Sequence, residues 1–179
     1  MEIIETIRNR RSIKEFTANK VSREALEGLV DLARFSPSGA NKNSWRFIVT
    51  QDRQILEKLG ETHSYCNWLK KAPAGIAVMI DPAATRYWLE DCSVAATTIW
   101  LAATGQGLGV AWAAMYHCDN ADETARRQKN VREALSIPEA IMVPIVLAVG
   151  YPTSQPEAIT RPQLTNIICW EKYSPPLTD

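Results

Sequence analysis

Arg10-Arg11-Ser12-Ile13-Lys14 sets three cations within five residues, with a hydroxyl among them. Like charges so close repel one another, and a fold that orders them normally supplies an anion. Arginine forks grip phosphate oxygens at two points, and the serine adds a neutral donor. The plainer alternative is that these cations complement the negative end of a preceding helix, a contribution of about 0.3–1 kcal/mol. Read by itself, the run leaves both open. A second set, Ser36-Pro37-Ser38-Gly39-Ala40-Asn41, joins a rigid proline, a glycine that permits close backbone approach and an amide that both donates and accepts. Such residues suit the polar rim of a planar heterocycle, and equally an ordinary helix-to-strand turn.

Other familiar chemistries fit less well. Gly105-Gln106-Gly107-Leu108-Gly109 follows a helix and precedes a strand. A dinucleotide fingerprint needs the reverse order, so these glycines read as a helix C-cap. The cysteines Cys66, Cys92, Cys118 and Cys169 form no CxxC pair, and His63 and His117 have no ligand spacing. No zinc site is expected from them. Asp81, Glu90 and Asp91 are isolated acids with a structural reading, and no nucleophile elbow or Ser/His/Asp set appears. Demanding chemistry is therefore best assigned to a bound cofactor that the protein positions and polarises.

These residues sit in a chain of 179, with 22% charged residues and zero formal net charge. That size predicts one domain over 1–179, and the charge balance argues against a nucleic-acid binder. Free thiols and no signal-like segment predict a cytoplasmic protein. The run from Cys92 to Gly109 carries too many hydroxyl and amide side chains for a membrane span and reads as a buried helix.

Periodicity places the elements. A first helix with Ile3, Ile4 and Ile7 on one face ends near Arg10, and Ser22 caps a second that stops before Pro37. Strands are predicted at Trp45–Val49, Gly75–Ile80, Val110–Tyr116 and Met142–Val149. Helices are predicted at Gln51–Gly60, about Arg86–Gly105 and Glu123–Leu135, the last charged and exposed. In the long helix Ala95, Ala96, Ala102 and Ala103 permit close helix packing, and the proline-rich tail after Tyr151 reads as a wrapping arm.

In this order the segments resemble the FMN-dependent nitroreductase family. The residues that carry the resemblance are Arg10–Lys14, the stretch from Ser36 to Phe47, Gly107-Leu108-Gly109-Val110-Ala111-Trp112, Ile137-Pro138-Glu139 with Val149-Gly150-Tyr151-Pro152, and Arg161-Pro162. The sequence differs from the family pattern at Asn43 and Ser44, where glutamine and proline are common, and at Ile159 and Ala114.

The resemblance implies an α+β fold, a mixed central sheet flanked by helices, built as an intertwined homodimer. The arm from about residue 151 would wrap the partner, and the long helix would be buried at the subunit contact. It implies FMN as cofactor and NAD(P)H as reductant, with hydride passed by ping-pong to nitroaromatic, quinone or related acceptors. A non-catalytic flavin-binding or storage protein of the same fold is the alternative. By the same resemblance Arg10, Ser12 and Arg161 hold the phosphate end, with Arg11 beside them. Lys14 approaches the N1/C2=O edge of the ring. Pro37, Ser38, Gly39 and Asn41 come from the partner, Asn67 and Lys70 meet the ring edge, and backbone near Ala114 faces N5.

Overall fold

The computed structural model describes residues 2–175. Three of its α-helices begin where a side chain satisfies the first backbone N–H groups. Ser22 Oγ accepts from Ala25 N at the start of α2 (Arg23–Ala33), which follows α1 (Ile3–Asn9). Asp52 accepts from Gln54 N and Ile55 N before α3 (Arg53–Gly60), so this helix starts two residues later than predicted. Gln51 stays outside it and donates its side-chain amide to the Val21 carbonyl at 2.8 Å.

Four strands, β1 (Trp45–Thr50), β2 (Ala74–Ile80), β3 (Gly109–Ala114) and β4 (Met142–Gly150), form one sheet in the order β1-β2-β4-β3, every neighbouring pair antiparallel. The sheet itself is antiparallel, and parallel pairing is seen in an isolated bridge from Ser12, outside it, to Val110. β3 stops at Ala114, short of the predicted Tyr116, after Ala114 pairs with Ile145. Pro144 stands next along β4 and has no N–H to give, although its carbonyl still accepts from Met115 N at 2.7 Å.

Strand alternation divides the core into two layers. Ile145, Leu147 and Val149 face one way with Ile76, Val78 and Ile80, and pack with Leu26 and Leu29 of α2 and Ile99 and Trp100 of α4 (Trp88–Gly105). Val146 and Ala148 face the other way with Ala77, against Leu56 and Leu59 of α3, Leu69, and Val131 of α5 (Ala121–Leu135). Both faces are covered, which is why β2 and β4 read as continuous apolar runs. Ala95, Ala96 and Ala103 lie in the first layer, so these small residues serve packing inside the chain. The outward side of α4 carries Glu90, Val94 and Thr97 instead.

α4 starts at Trp88, after a turn in which Thr85 Oγ1 accepts from Tyr87 N. It ends as predicted: Gly107 takes φ +76°, and Leu108 N reaches back to the Ala103 carbonyl at 2.9 Å. α5 is less uniformly exposed than its charge suggests, because Gln128 is buried and bonds Met115 O, Val143 O and Val143 N. No helix among the described residues is long and apolar enough to cross a membrane.

Candidate functional site

α1 ends as Arg10 N donates to Thr6 O, and the chain then runs beside β3, with Ile13 N donating to Val110 O at 2.9 Å. Gly109 makes that approach possible, since a Cβ there would lie 2.7 Å from the Ile13 side chain. Beyond this point the cations separate. Arg11 turns back and donates Nη1 to the carbonyls of Arg8 and Arg10 at 2.7 and 2.9 Å, and Nε to Glu157 O at 3.4 Å. It performs the helix-end role that the sequence left open, and it also ties down the C-terminal segment. Arg10 does neither. Its guanidinium lies over the Trp100 ring, 4.4 Å from the centroid. Partial burial pushes its pKa below the usual value, and the charges of Arg161 and Arg11 push it the same way. Arg161, distant in sequence, thus lies within electrostatic reach of Arg10. Ser12 and Lys14 are exposed beside them.

The second set occupies another place. Ser36 Oγ and Thr98 Oγ1 share a hydrogen bond of 2.7 Å, which anchors the loop to α4. Ser38 Oγ accepts from Asn43 N at 2.9 Å, and Gly39 N donates to Asp91 Oδ1 at 2.8 Å. Within this frame Ala40, Asn41 and Asn43 all take positive φ, at 50°, 55° and 50°. Asparagine tolerates that region, but for Ala40 it costs about 1–2 kcal/mol. A backbone held this way needs its surroundings to over-determine it, a property concentrated at binding and catalytic sites. The close approach that Gly39 permits is to Tyr87 of the same chain, whose ring a Cβ would overlap.

Arg10 sits over Trp100, whereas Gly39 bonds to Asp91, nine residues earlier on α4. At about 1.5 Å per residue these anchor points are roughly 13 Å apart along the helix. One chain thus sets Arg10, Arg11 and Ser12 within reach of the Arg161 charge, while the loop with Pro37, Ser38, Gly39 and Asn41 starts beside Thr98 and reaches, at Gly39, toward the N-terminal end of α4.

Asn67 and Lys70 lie in the 3₁₀ segment Ser64–Lys71. The Asn67 amide donates to Ser64 O at 3.3 Å, and Lys70 Nζ pairs with Glu61 at 3.2 Å. Ala114, exposed at the end of β3, has its carbonyl held by Arg127 Nη1 at 2.9 Å. Arg127 also donates to Glu123 at 2.7 Å, as Arg126 does at 2.8 Å, and these bonds draw the Glu123 carboxyl down to about 2. Burial, with the Arg127 charge, lowers the pKa of His63 nearby. Sequence reasoning missed Trp100, Tyr87, Asp91 and Arg127. An indole within a helix of small residues was the one visible signal, for Trp100.

An antiparallel sheet with helices on both faces, and a cluster of arginines where the first helix meets its edge strand, defines an α+β protein with a cationic site at the edge of its sheet. The model of the nitroreductase family matches residues 7–63 and 60–151. A Methanothermobacter thermautotrophicus protein named for NADH dehydrogenase or NAD(P)H nitroreductase activity is 35% identical over 159 residues, covering 87% of this chain and 80% of that protein. An Archaeoglobus fulgidus protein of the same name is 36% identical over 158 residues, 86% of this chain and 87% of its own. Among solved structures, an FMN-dependent nitroreductase from Clostridium difficile R20291 superposes with a TM-score of 0.86 at 27% identity, covering 95% of this chain and 99% of that one. The chain belongs to the nitroreductase family.

Proposed function

We propose that this protein is an FMN-dependent NAD(P)H oxidoreductase, a homodimer with its flavin sites between subunits. One observation carries the reading: the Arg10 guanidinium, held over the Trp100 ring, is partly buried within reach of the charges of Arg161 and Arg11, which disfavour its own. A phosphate of about −1.5 to −2 charge would turn that repulsion into binding energy. The donor set fits such a group, with two guanidinium forks and the Ser12 hydroxyl for its oxygens. Bound there, FMN would supply the redox chemistry, taking a hydride from NAD(P)H and passing electrons on to nitroaromatic, quinone or related acceptors in a ping-pong cycle.

The chain's own residues would bind, orient and polarise. Lys14 would stabilise negative charge that develops at the N1/C2=O edge, and Asn67 would offer an amide to the rim. Lys70 would do so only by leaving Glu61. Ala114 would present backbone, its carbonyl fixed by Arg127. Pro37, Ser38, Gly39 and Asn41 would complete the pocket from the second subunit, which fits the anchoring of Gly39 at Asp91, away from Arg10 along α4. No side chain need act as obligatory acid or base, since solvent can supply protons.

The test is spectroscopic. The purified protein should be yellow, release FMN rather than FAD on denaturation, and bleach anaerobically with NADPH or NADH. Arg10→Glu should lose the colour, and flavin retained by that variant would reject the phosphate assignment. A yellow protein that neither nucleotide bleaches would instead be a flavin-binding protein without this activity.

A further inference from the structure

Among the arginines near the start of the chain, Arg10 has an unusual support. Trp100, buried in the middle of α4, touches the segment twice: its ring face lies 4.4 Å under the Arg10 guanidinium, and its Nε1–H donates to the Arg11 carbonyl at 3.3 Å. The ring of Trp112 on β3 packs beside it, with centroids 6.1 Å apart and planes tilted by 36°. Arg11, by contrast, directs its guanidinium to backbone carbonyls. Both contacts of Trp100 therefore act on one object, the direction in which Arg10 presents its donors.

We propose that Trp100 is the positioning residue of the phosphate site. Its face fixes the plane of the Arg10 guanidinium and its N–H fixes the backbone from which that side chain springs, while Arg11 straps the arm at Glu157. The physical argument is one of preorganisation. An arginine has several rotatable bonds, and ordering them at the moment of binding weakens the complex. Stacked on an indole, the fork is oriented beforehand with its N–H edge open, because cation–π attraction uses the flat face and leaves the in-plane donors for the anion. The inference rests on the phosphate reading above and deepens it.

Flavin affinity measured with and without the phosphate tests it. Apoprotein of the full chain is titrated with FMN and with riboflavin, which lacks the phosphate. Wild type should prefer FMN. Trp100→Leu removes both contacts and should weaken FMN by about tenfold while leaving riboflavin affinity unchanged. Trp100→Phe keeps a ring and loses the N–H, and should weaken FMN by about threefold in a protein whose thermal midpoint stays near that of wild type. In an Arg10→Gln background Trp100→Leu should have no further effect on FMN, because the residue acts through Arg10. If Trp100→Leu fails to fold, the Phe variant decides the matter, alone and with Arg10→Gln. Equal loss of FMN and riboflavin in a folded variant, or an undiminished effect without Arg10, overturns the proposal. Wild type with no preference for FMN over riboflavin is a different failure: it removes the phosphate reading itself.

Discussion

At the scale of residues, the polar groups around the end of β3 lose stability in the same direction, as the pH falls, but in different windows, and their signs can be worked out. His63 has Nε2 buried without a hydrogen-bond partner among the described residues, while its Nδ1 accepts from Tyr65 N at 3.2 Å. Desolvation disfavours its cation, and Arg127 and Arg126 add repulsion that Glu123 only partly offsets. Its folded-state pKa therefore lies below 6.5. Above pH 6.5 both folded and unfolded chains hold it neutral; below that the unfolded chain takes up a proton that the folded chain refuses, and stability falls until the folded pKa is passed. His63→Asn retains an acceptor for Tyr65 N but cannot charge. Urea midpoints measured between pH 7 and pH 5 should fall for wild type and flatten in this variant. A variant that loses stability over that interval as steeply as wild type would show that other groups set the slope. Glu123 adds acid sensitivity in a lower window, its contribution present above about pH 4.5 and lost as the pH falls toward 2.

At the scale of elements, Asp91 ties the Pro37–Asn43 loop to α4. It is buried, accepts from Gly39 N at 2.8 Å and from Thr85 Oγ1 at 3.4 Å, and thereby serves a loop in which three non-glycine residues carry positive φ. Asp91→Ala should cost about 1–3 kcal/mol by leaving Gly39 N–H unpaired, whereas Asp91→Asn, still an acceptor, should recover much of it. Chemical denaturation of the pair checks this; equal stabilities would mean that the loop is held by other bonds. This bond also marks where the sequence ceased to be legible. The α-helices and strands of the core could be read, because Gly75–Ile80 is a continuous apolar run and Leu26 and Leu29 recur with the period of a helix, but the 3₁₀ segment Ser64–Lys71, which buries Cys66 and Leu69, was not. Local turn chemistry was legible too, as at Ser22 and Gly107. Asp91 looked isolated because its partners are Gly39 and Thr85, and no pattern links Asp91 to Gly39 across fifty-two residues. Trp100 under Arg10 was hidden for the same reason: helix periodicity says that a residue faces inward, never whose guanidinium arrives above it. The proximity of Arg161 to Arg10 was anticipated only through family resemblance.

At the scale of the whole molecule, the tail is the part that one chain does least to satisfy. Residues 153–175 are exposed throughout, including Leu164, Ile167, Trp170 and Tyr173, the last two at 74% and 84%. Ile3, Ile4 and Ile7 of α1 likewise face outward at 63%, 59% and 56%, so the apolar stripe of the first helix has no cover among the described residues. Apolar surface on this scale is ordinarily buried against a partner. The tail leaves the body in an ordered way: Phe16 bridges Pro152, Thr17 N donates to Tyr151 O at 2.8 Å, and Arg11 reaches Glu157 O. An arm anchored at its root and apolar beyond it suits an embrace by a second copy, with Arg161 on the same arm coupling the embrace to the cofactor site. Truncation after Pro152 removes the apolar arm and Arg161 in one step, yet leaves both core layers intact. The truncated chain should therefore keep its secondary structure by circular dichroism, sediment as a monomer and lose bound FMN. Arg161→Gln in the full chain should separate the two effects, lowering flavin affinity by about tenfold or more while the dimer persists. A truncated chain that still sediments as a dimer and remains yellow would refute the embrace and return the exposed arm to an open question of partner.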